Sequence, residues 1–298
     1  MKILNYKSTL GILAILFCNL IHSQTTYVNE QTGKINDSSY VYFSFNYISD
    51  AVFMGRKDSI AAPYIYPTFL YHHKSGFYAS SSLSYLTKAN EGRVDLFLLT
   101  VGFDFNIRKL DGDISVTAYF FNEDSYNVIS EVGSDITARL EYDFDIITLG
   151  LSASSFFNTD SSTDFFLSSE VRHDFMTTND KFQFSPTIGI YFGTQNFYEQ
   201  YFVNNRFGNG RGQSSGQGQT PLDTLQSSSV VLNESDQFNL MSVEFSLPIW
   251  YTYKSYYVVI IPTFVIPQNE AVLRVDDALV KEDLDNSFYF IAGIYYRF

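Results

Sequence analysis

The feature that most constrains this chain is an alternation of apolar and polar side chains, period two, that recurs along almost its whole length. Strand side chains point to opposite faces in turn. Residues 135–144 therefore sort into Ile136, Ala138, Leu140, Tyr142 and Phe144 on one face and Thr137, Arg139, Glu141 and Asp143 on the other. The same sorting runs through 39–47, 63–72, 77–86, 93–106, 114–121, 147–157, 164–175, 182–192, 240–251, 256–266 and 286–298. Strands of ordinary globular proteins centre on about five or six residues, whereas a tilted strand needs about nine to eleven to cross a bilayer. The pattern predicts an all-β chain folded as a single antiparallel transmembrane β-barrel of about twelve strands, with 10 or 14 as the neighbouring counts.

The connections support this reading. Counted from the first strand, the odd ones centre near residues 55, 90, 127, 160, 215 and 277, and the even ones near 74, 111, 145, 178 and 254. Every long connection is odd and every even one is tight, as expected of long outer loops and short periplasmic turns. His73-Lys74-Ser75-Gly76, Lys109-Leu110-Asp111-Gly112-Asp113 and Thr178-Asn179-Asp180 read as turns. The stretches 194–236 and 268–286 are expected to be long extracellular loops. With 29 Phe and 23 Tyr, the chain is 18% aromatic at a mean hydropathy of only −0.06. Lipid-facing strands flanked by aromatic girdles produce that combination.

Residues 1–23 have the layout of a cleaved secretory signal peptide: Lys2 and Lys7, a short apolar run over 10–21, and Ser23 before Gln24. Residues 24–38 are read as a periplasmic lead-in and 39–298 as the barrel. Cys18, the single cysteine, falls within the signal, with Phe17 where a lipobox needs a small residue. Loss of Lys2 and Lys7, the only charged residues in 1–23, takes the formal charge from −13 to −15. Such an acidic balance argues against nucleic acid as a partner. The expected surroundings are outer-membrane lipids and lipopolysaccharide. The sequence implies no cofactor and does not fix the oligomeric state.

The last strand places Phe288, Phe290, Ala292, Ile294, Tyr296 and Phe298 on one apolar face. This ending resembles the C-terminal signal of bacterial outer-membrane barrels. The resemblance implies that Phe288, Phe290, Tyr296 and Phe298 are read by the barrel-assembly machinery. Residues 47–56, Tyr-Ile-Ser-Asp-Ala-Val-Phe-Met-Gly-Arg, resemble a family of uncharacterised outer-membrane barrels whose first strand ends Ser-x-Tyr-Val-aromatic-Arg-Gly. Here Ala51 replaces the Tyr, and Met54 precedes Gly55-Arg56 where Arg-Gly would stand. The aromatic-rich strands and Gln24 are similar to exported barrels of Bacteroidota. These resemblances imply location and no activity.

With the apolar faces toward lipid, Asn46, Arg139, Glu141, Glu170, Arg172, Asp174, Glu244 and Arg297 face the lumen. Both signs are present, so an ion-paired interior is expected before a one-sign filter. Tyr40, Tyr42, Tyr119, Tyr191, Tyr289 and Tyr295 share that face and argue for a constricted or plugged barrel. The expected function is a small passive pore or a structural surface protein. The alternatives are a lipid-modifying enzyme of the phospholipase or lipid A deacylase type, and an adhesion or ligand-binding barrel acting through its loops. A Ser–His hydrolase is disfavoured because His72, His73 and His173 lie toward the tight-turn ends of their strands. Asp276, Asp277 and Asp283, with Glu282 and Asp285, are weak candidates for a hard cation. Pro67, Pro186, Pro248 and Pro262 stand against the reading, since a proline inside a strand removes a ladder donor.

Overall fold

The computed structural model describes residues 38–58, 60–159, 161–201, 230–233, 235–275, 278–282 and 284–298. The signal and nearly all of the lead-in lie outside these residues. β1 (Tyr40–Ile48), β2 (Tyr64–His72), β3 (Phe77–Leu86), β4 (Arg93–Ile107), β5 (Leu110–Phe121), β6 (Val132–Asp143) and β7 (Thr148–Asn158) follow one another as an antiparallel meander. Next come β8 (Asp164–Arg172), β9 (Phe175–Met176), β10 (Phe182–Phe184), β11 (Thr187–Gly193) and a short helix, α1 (Asn196–Tyr201). The chain continues with β12 (Val230–Asn233), β13 (Asn239–Ser246), β14 (Ile249–Tyr253), β15 (Tyr256–Pro267), β16 (Val272–Val275), β17 (Ala278–Lys281) and β18 (Ser287–Arg297). β18 pairs with β1 on one side and β15 on the other, and β15 pairs with β13, so the sheet closes on itself. The result is a closed antiparallel barrel of twelve strands, in which β8 with β9, β10 with β11 and β13 with β14 each form one interrupted strand.

The alternation sets the two faces. Phe43, Phe45, Phe69, Leu99, Val116, Leu140, Leu151, Ile188 and Ile260 are exposed on the outside, while the residues between them are buried within. Aromatic side chains dominate the outer face beside the tight turns: Tyr71, Phe77, Tyr142, Phe144, Phe175, Phe182, Tyr253 and Tyr256. β15, apolar on both faces in sequence, turns Tyr256, Val258, Ile260 and Phe264 outward and Val259, Ile261 and Val265 inward.

Five short turns join the strands at one end: 73–76, 108–109, 144–147, 177–181 and 254–255. Each contains one residue of positive φ, respectively Gly76, Arg108, Asp145, Asp180 and Lys254. The expected turn at residues 109–113 is corrected. The chain reverses at 108–109, and Asp111-Gly112-Asp113 continues as strand β5. Asp-Gly is strong turn chemistry in isolation, but here Gly112 clears space for the Phe105 ring and Asp113 accepts a hydrogen bond from the Tyr78 hydroxyl at 2.7 Å.

Three of the four strand prolines, Pro186, Pro248 and Pro262, fall on one line. The His173 amide donates to the Pro186 carbonyl (3.3 Å), Ser185 to Pro248 (3.0 Å) and Leu247 to Pro262 (3.1 Å). The three breaks in adjacent strands therefore coincide in a seam ending on β15, where Pro262 still pairs with Phe290 of β18. Pro67 keeps its pairing with Phe45, and the β2–β3 ladder lapses beside it, where the Ser82 hydroxyl donates to the Pro67 carbonyl at 3.2 Å. A proline in a closed sheet is tolerable where the ladder is already interrupted.

Candidate functional site: a plugged mouth above a packed, charged interior

Two regions carry the polar chemistry of the barrel: its mouth at the long-connection end and its interior.

At the mouth, the first connection folds inward. Phe53 and Arg56 exchange both backbone hydrogen bonds at 2.8 Å, and the two residues between them have positive φ (Met54 46°, Gly55 82°). This is a minimal hairpin with left-handed geometry at both corners, a shape that favours glycine at the second. A Cβ on Gly55 would lie 2.7 Å from Pro267 Cβ, so the hairpin tip is pressed onto the end of β15. Phe53 packs against Phe156 of β7, Phe166 of β8 and Phe197 of α1, with ring centroids 5.3–5.8 Å apart. A loop that leaves β1 can touch β7 and β8 only by crossing the mouth.

Arg56 fixes the hairpin and is 1% exposed. Its Nη1 donates to the carbonyls of Met54 (3.1 Å) and Met241 (3.0 Å), and its Nη2 to those of Gln268 (2.9 Å) and Asn269 (2.6 Å). Glu282 Oε2 lies 4.0 Å from Nε. A planar fork of donors suits this arrangement of acceptors, and the carbonyls with Glu282 compensate the burial of the cation. Burial lowers the Arg56 pKa, and the nearby Glu282 pulls it back up. α1 completes the lid: the Tyr198 hydroxyl donates to Glu282 Oε1 at 2.5 Å, the Tyr201 hydroxyl bonds Asp58, and Asp164 accepts from the amides of Asn196 and Phe197.

The interior has two unlike walls. β3 to β7 present small hydroxyls, two pairs of which meet directly across the strands: Thr100 with Thr117 and Thr137 with Ser154, both at 2.8 Å. The opposite wall, formed by β15, β18, β1 and β2, presents Tyr257, Tyr289, Tyr295, Tyr42 and Tyr66 among Val259, Ile261 and Val265. Tyr191, Thr117, Thr137 and Asn46 are 0% exposed and Tyr289 1%, so these interior side chains are closely packed.

The predicted lumen-facing residues lie as follows. Asn46, Arg139, Glu141, Glu170, Arg172 and Glu244 are buried inside the barrel, as is the Asp174 side chain. Arg297 sits at the tight-turn end, 4.4 Å above the Tyr40 ring. Cross-strand register sets Glu141, Gly150, Glu170, Gly189 and Glu244 in one lateral row over five adjacent strands, carboxylate and glycine alternating. Gly189 is needed there, since a Cβ would stand 2.5 Å from the Tyr191 hydroxyl, which donates to Glu170 Oε1. Arg172 binds Asp174 (Nε to Oδ2, 3.0 Å) and Glu141 (Nη2 to Oε2, 3.5 Å). Asp174 also accepts from Ser185 Oγ (2.5 Å) and Gln183 Nε2 (3.2 Å). These side-chain bonds cross the seam where backbone pairing is interrupted.

On the outer face of β18, Phe288 and Phe298 are exposed, with Phe290 and Tyr296 between them half-buried. At the tight-turn end, His72 Nε2 lies 2.8 Å from Asp104 Oδ2, His73 Nδ1 2.7 Å from Ser75 Oγ, and His173 bonds the Ile146 carbonyl. Asp276, Asp277 and Asp283 lie outside the described residues. Among the described residues, no group of three or more His, Cys, Asp or Glu is arranged to hold a metal ion. Sequence reasoning missed Arg56: its position in a connection gave no sign of burial, although the motif containing it had been singled out.

No family model matches this chain, and no curated protein sequence matches it. Similar solved structures include the KdgM porin (8% identity, TM-score 0.46, 86% of this chain and 99% of that one). An outer membrane channel from Pseudomonas putida F1 gives 9% identity and a TM-score of 0.48 over 88% and 96% of the two chains. LpxR from Salmonella typhimurium gives 10% and 0.43 over 86% and 99%. Likeness at this level bears on neither substrate nor activity.

Proposed function

We propose that the chain is an integral outer-membrane barrel with no standing pore, acting as a structural protein of the cell surface. The observation that carries this reading is the Phe53–Arg56 hairpin, buried across the mouth and anchored on both sides of the barrel. The packed Tyr and Ser/Thr walls below it support the same conclusion, and the exposed apolar belt supports the membrane setting. On this reading residues 1–23 direct export and the tight turns face the periplasm. Outer-membrane lipids and lipopolysaccharide surround the belt, and the assembly machinery reads Phe288, Phe290, Tyr296 and Phe298. Planar-bilayer recording of the refolded chain tests it: wild type gives no conductance steps, and regular channel openings would overturn the occluded reading.

A gated pore is the second reading, favoured by the way Arg56 holds the hairpin through carbonyl oxygens that water can replace. Under it, Arg56→Ala gives intermittent conductance steps in the same recording. A silent Arg56→Ala variant that still shows heat-modifiable migration on gels removes the gate.

A further inference from the structure

We propose that the tight-turn rim of the barrel docks on anionic phospholipid headgroups through Lys74, Arg108, Lys181 and Lys254. The inference rests on the membrane-barrel reading above. Each residue is exposed and lies in a different tight turn: 73–76, 108–109, 177–181 and 254–255. Among the described residues none of the four is in an ion pair. Nearby, Lys109 is taken by Asp145 at 2.6 Å and Asp104 by His72 at 2.8 Å, so Asp180, exposed, and Asp111 and Asp143, partly exposed, are the carboxylates set against the four cations.

The long-connection end differs. There Lys57 pairs with Asp50 (3.3 Å), Lys88 with Glu91 (3.0 Å), Arg93 with Asp95 (3.1 Å) and Lys281 with Glu270 (3.8 Å). Among the described residues, available positive charge is therefore concentrated at the tight-turn end, in a chain that is strongly acidic overall.

Height along the barrel selects the partner. Tyr71 and Phe77 flank the turn of Lys74, Phe175 and Phe182 that of Lys181, and Tyr253 and Tyr256 that of Lys254, all exposed on the outer face. Interfacial aromatics mark the headgroup boundary, and a long basic side chain just beyond them reaches lipid phosphates while its stem stays against the rings. Lys254 Nζ lies 5.3 Å over the Tyr253 ring in this way. A partner wholly in the periplasm would not draw on the girdle.

The test is lipid selectivity of the full chain refolded into phosphatidylcholine vesicles, read by electron spin resonance from trace spin-labelled phosphatidylglycerol or phosphatidylcholine. One Lys or Arg near an anionic surface favours it by about fivefold, so a several-fold preference for phosphatidylglycerol is expected, weakened by 0.5 M salt (roughly a 4 Å Debye length). The combined variant Lys74→Gln, Arg108→Gln, Lys181→Gln and Lys254→Gln should lose it; Lys88→Gln should keep it. Should the fourfold variant fail to give heat-modifiable migration, Lys74→Gln and Lys254→Gln singly should each lower the preference. Equal association of the two lipids with inserted wild-type protein, or a preference unmoved by these variants, overturns the proposal alone. Failure of the wild-type chain to insert overturns the membrane-barrel reading with it.

Discussion

The two sides of the barrel wall solve the same problem differently. From β3 to β7 the strands are continuous and small hydroxyls hydrogen-bond across the ladder, with Asp113, Asp135, Arg139 and Glu141 buried among them. From β8 to β15 the breaks in adjacent strands fall on one line, and Glu170, Arg172, Asp174, Tyr191 and Glu244 stand inside among small residues such as Ser185 and Gly189. Arg172, Asp174, Ser185 and Gln183 form on that side a network that spans the interruption. Backbone pairing holds the first wall, and side chains supply much of the cohesion of the second. Buried charges earn a structural role where the ladder cannot act.

The comparison predicts a steep difference in mutational cost. Arg172→Ala leaves Asp174 buried without its cation and removes the stronger of two cations acting on Glu141, a loss of about 3–5 kcal/mol, whereas Thr100→Val on the continuous wall loses about 1 kcal/mol. Urea unfolding in lipid vesicles, followed by the fluorescence of Trp250, the single tryptophan, measures both; equal losses would dissolve the distinction. Next in size, Gly189→Ala sets a methyl group against Tyr191 and costs about 1–3 kcal/mol. A Tyr191→Leu background should recover part of that loss, and an unchanged cost there would show that the contact is not responsible.

Hydrogen exchange sharpens the contrast without mutation. Amides of His173, Ser185 and Leu247, which bond into the seam, should exchange at least about tenfold faster than those in the middle of β5 and β6. Uniform protection would mean that the seam is as tight as the intact ladder. The smallest effect belongs to a connection of the continuous wall. Glu91 accepts hydrogen bonds from Tyr126 and Lys88, which hold its carboxyl below the ordinary value of 4.5. Its stabilisation is present above that ordinary value and is lost as pH falls through the lowered one; exposure and salt screening keep it slight. A carbon-13 titration of the Glu91 carboxyl in micelles should show the lowered midpoint, returning toward 4.5 in the Tyr126→Phe variant.

Much of the wall was legible in the sequence because period-two alternation records which face each side chain takes. Glu141, Glu170 and Glu244 could be assigned to one face without coordinates. Their common level could not, since it depends on register between strands far apart in the chain. The prolines were visible singly, but their alignment is a property of the same register. Asp111-Gly112-Asp113 was misread as a turn because local propensity was overridden by Tyr78 and Phe105 from neighbouring strands. The short strands β12, β16 and β17 were hidden within connections read as polar loops, where no alternation long enough to notice exists. Arg56 was the largest omission: a cation in a loop looks solvated until the four carbonyls around it are known.

The pairing of β1 with β18 has a consequence for the order of events during assembly. Residues of β1 such as Val41 pair on one side with nearby β2 but find their other neighbour only in distant β18, where the Phe298 amide donates to the Val41 carbonyl at 3.0 Å. Closing so long a stretch of chain carries a large entropic cost and delivers its reward late. Until then both first and last strands are open edges, ready to pair with whatever edge is nearest. The hairpin at the mouth must settle later still, because β7, β8 and the end of β15, against which Phe53 and Gly55 lodge, assume their relative positions only once the circle is complete.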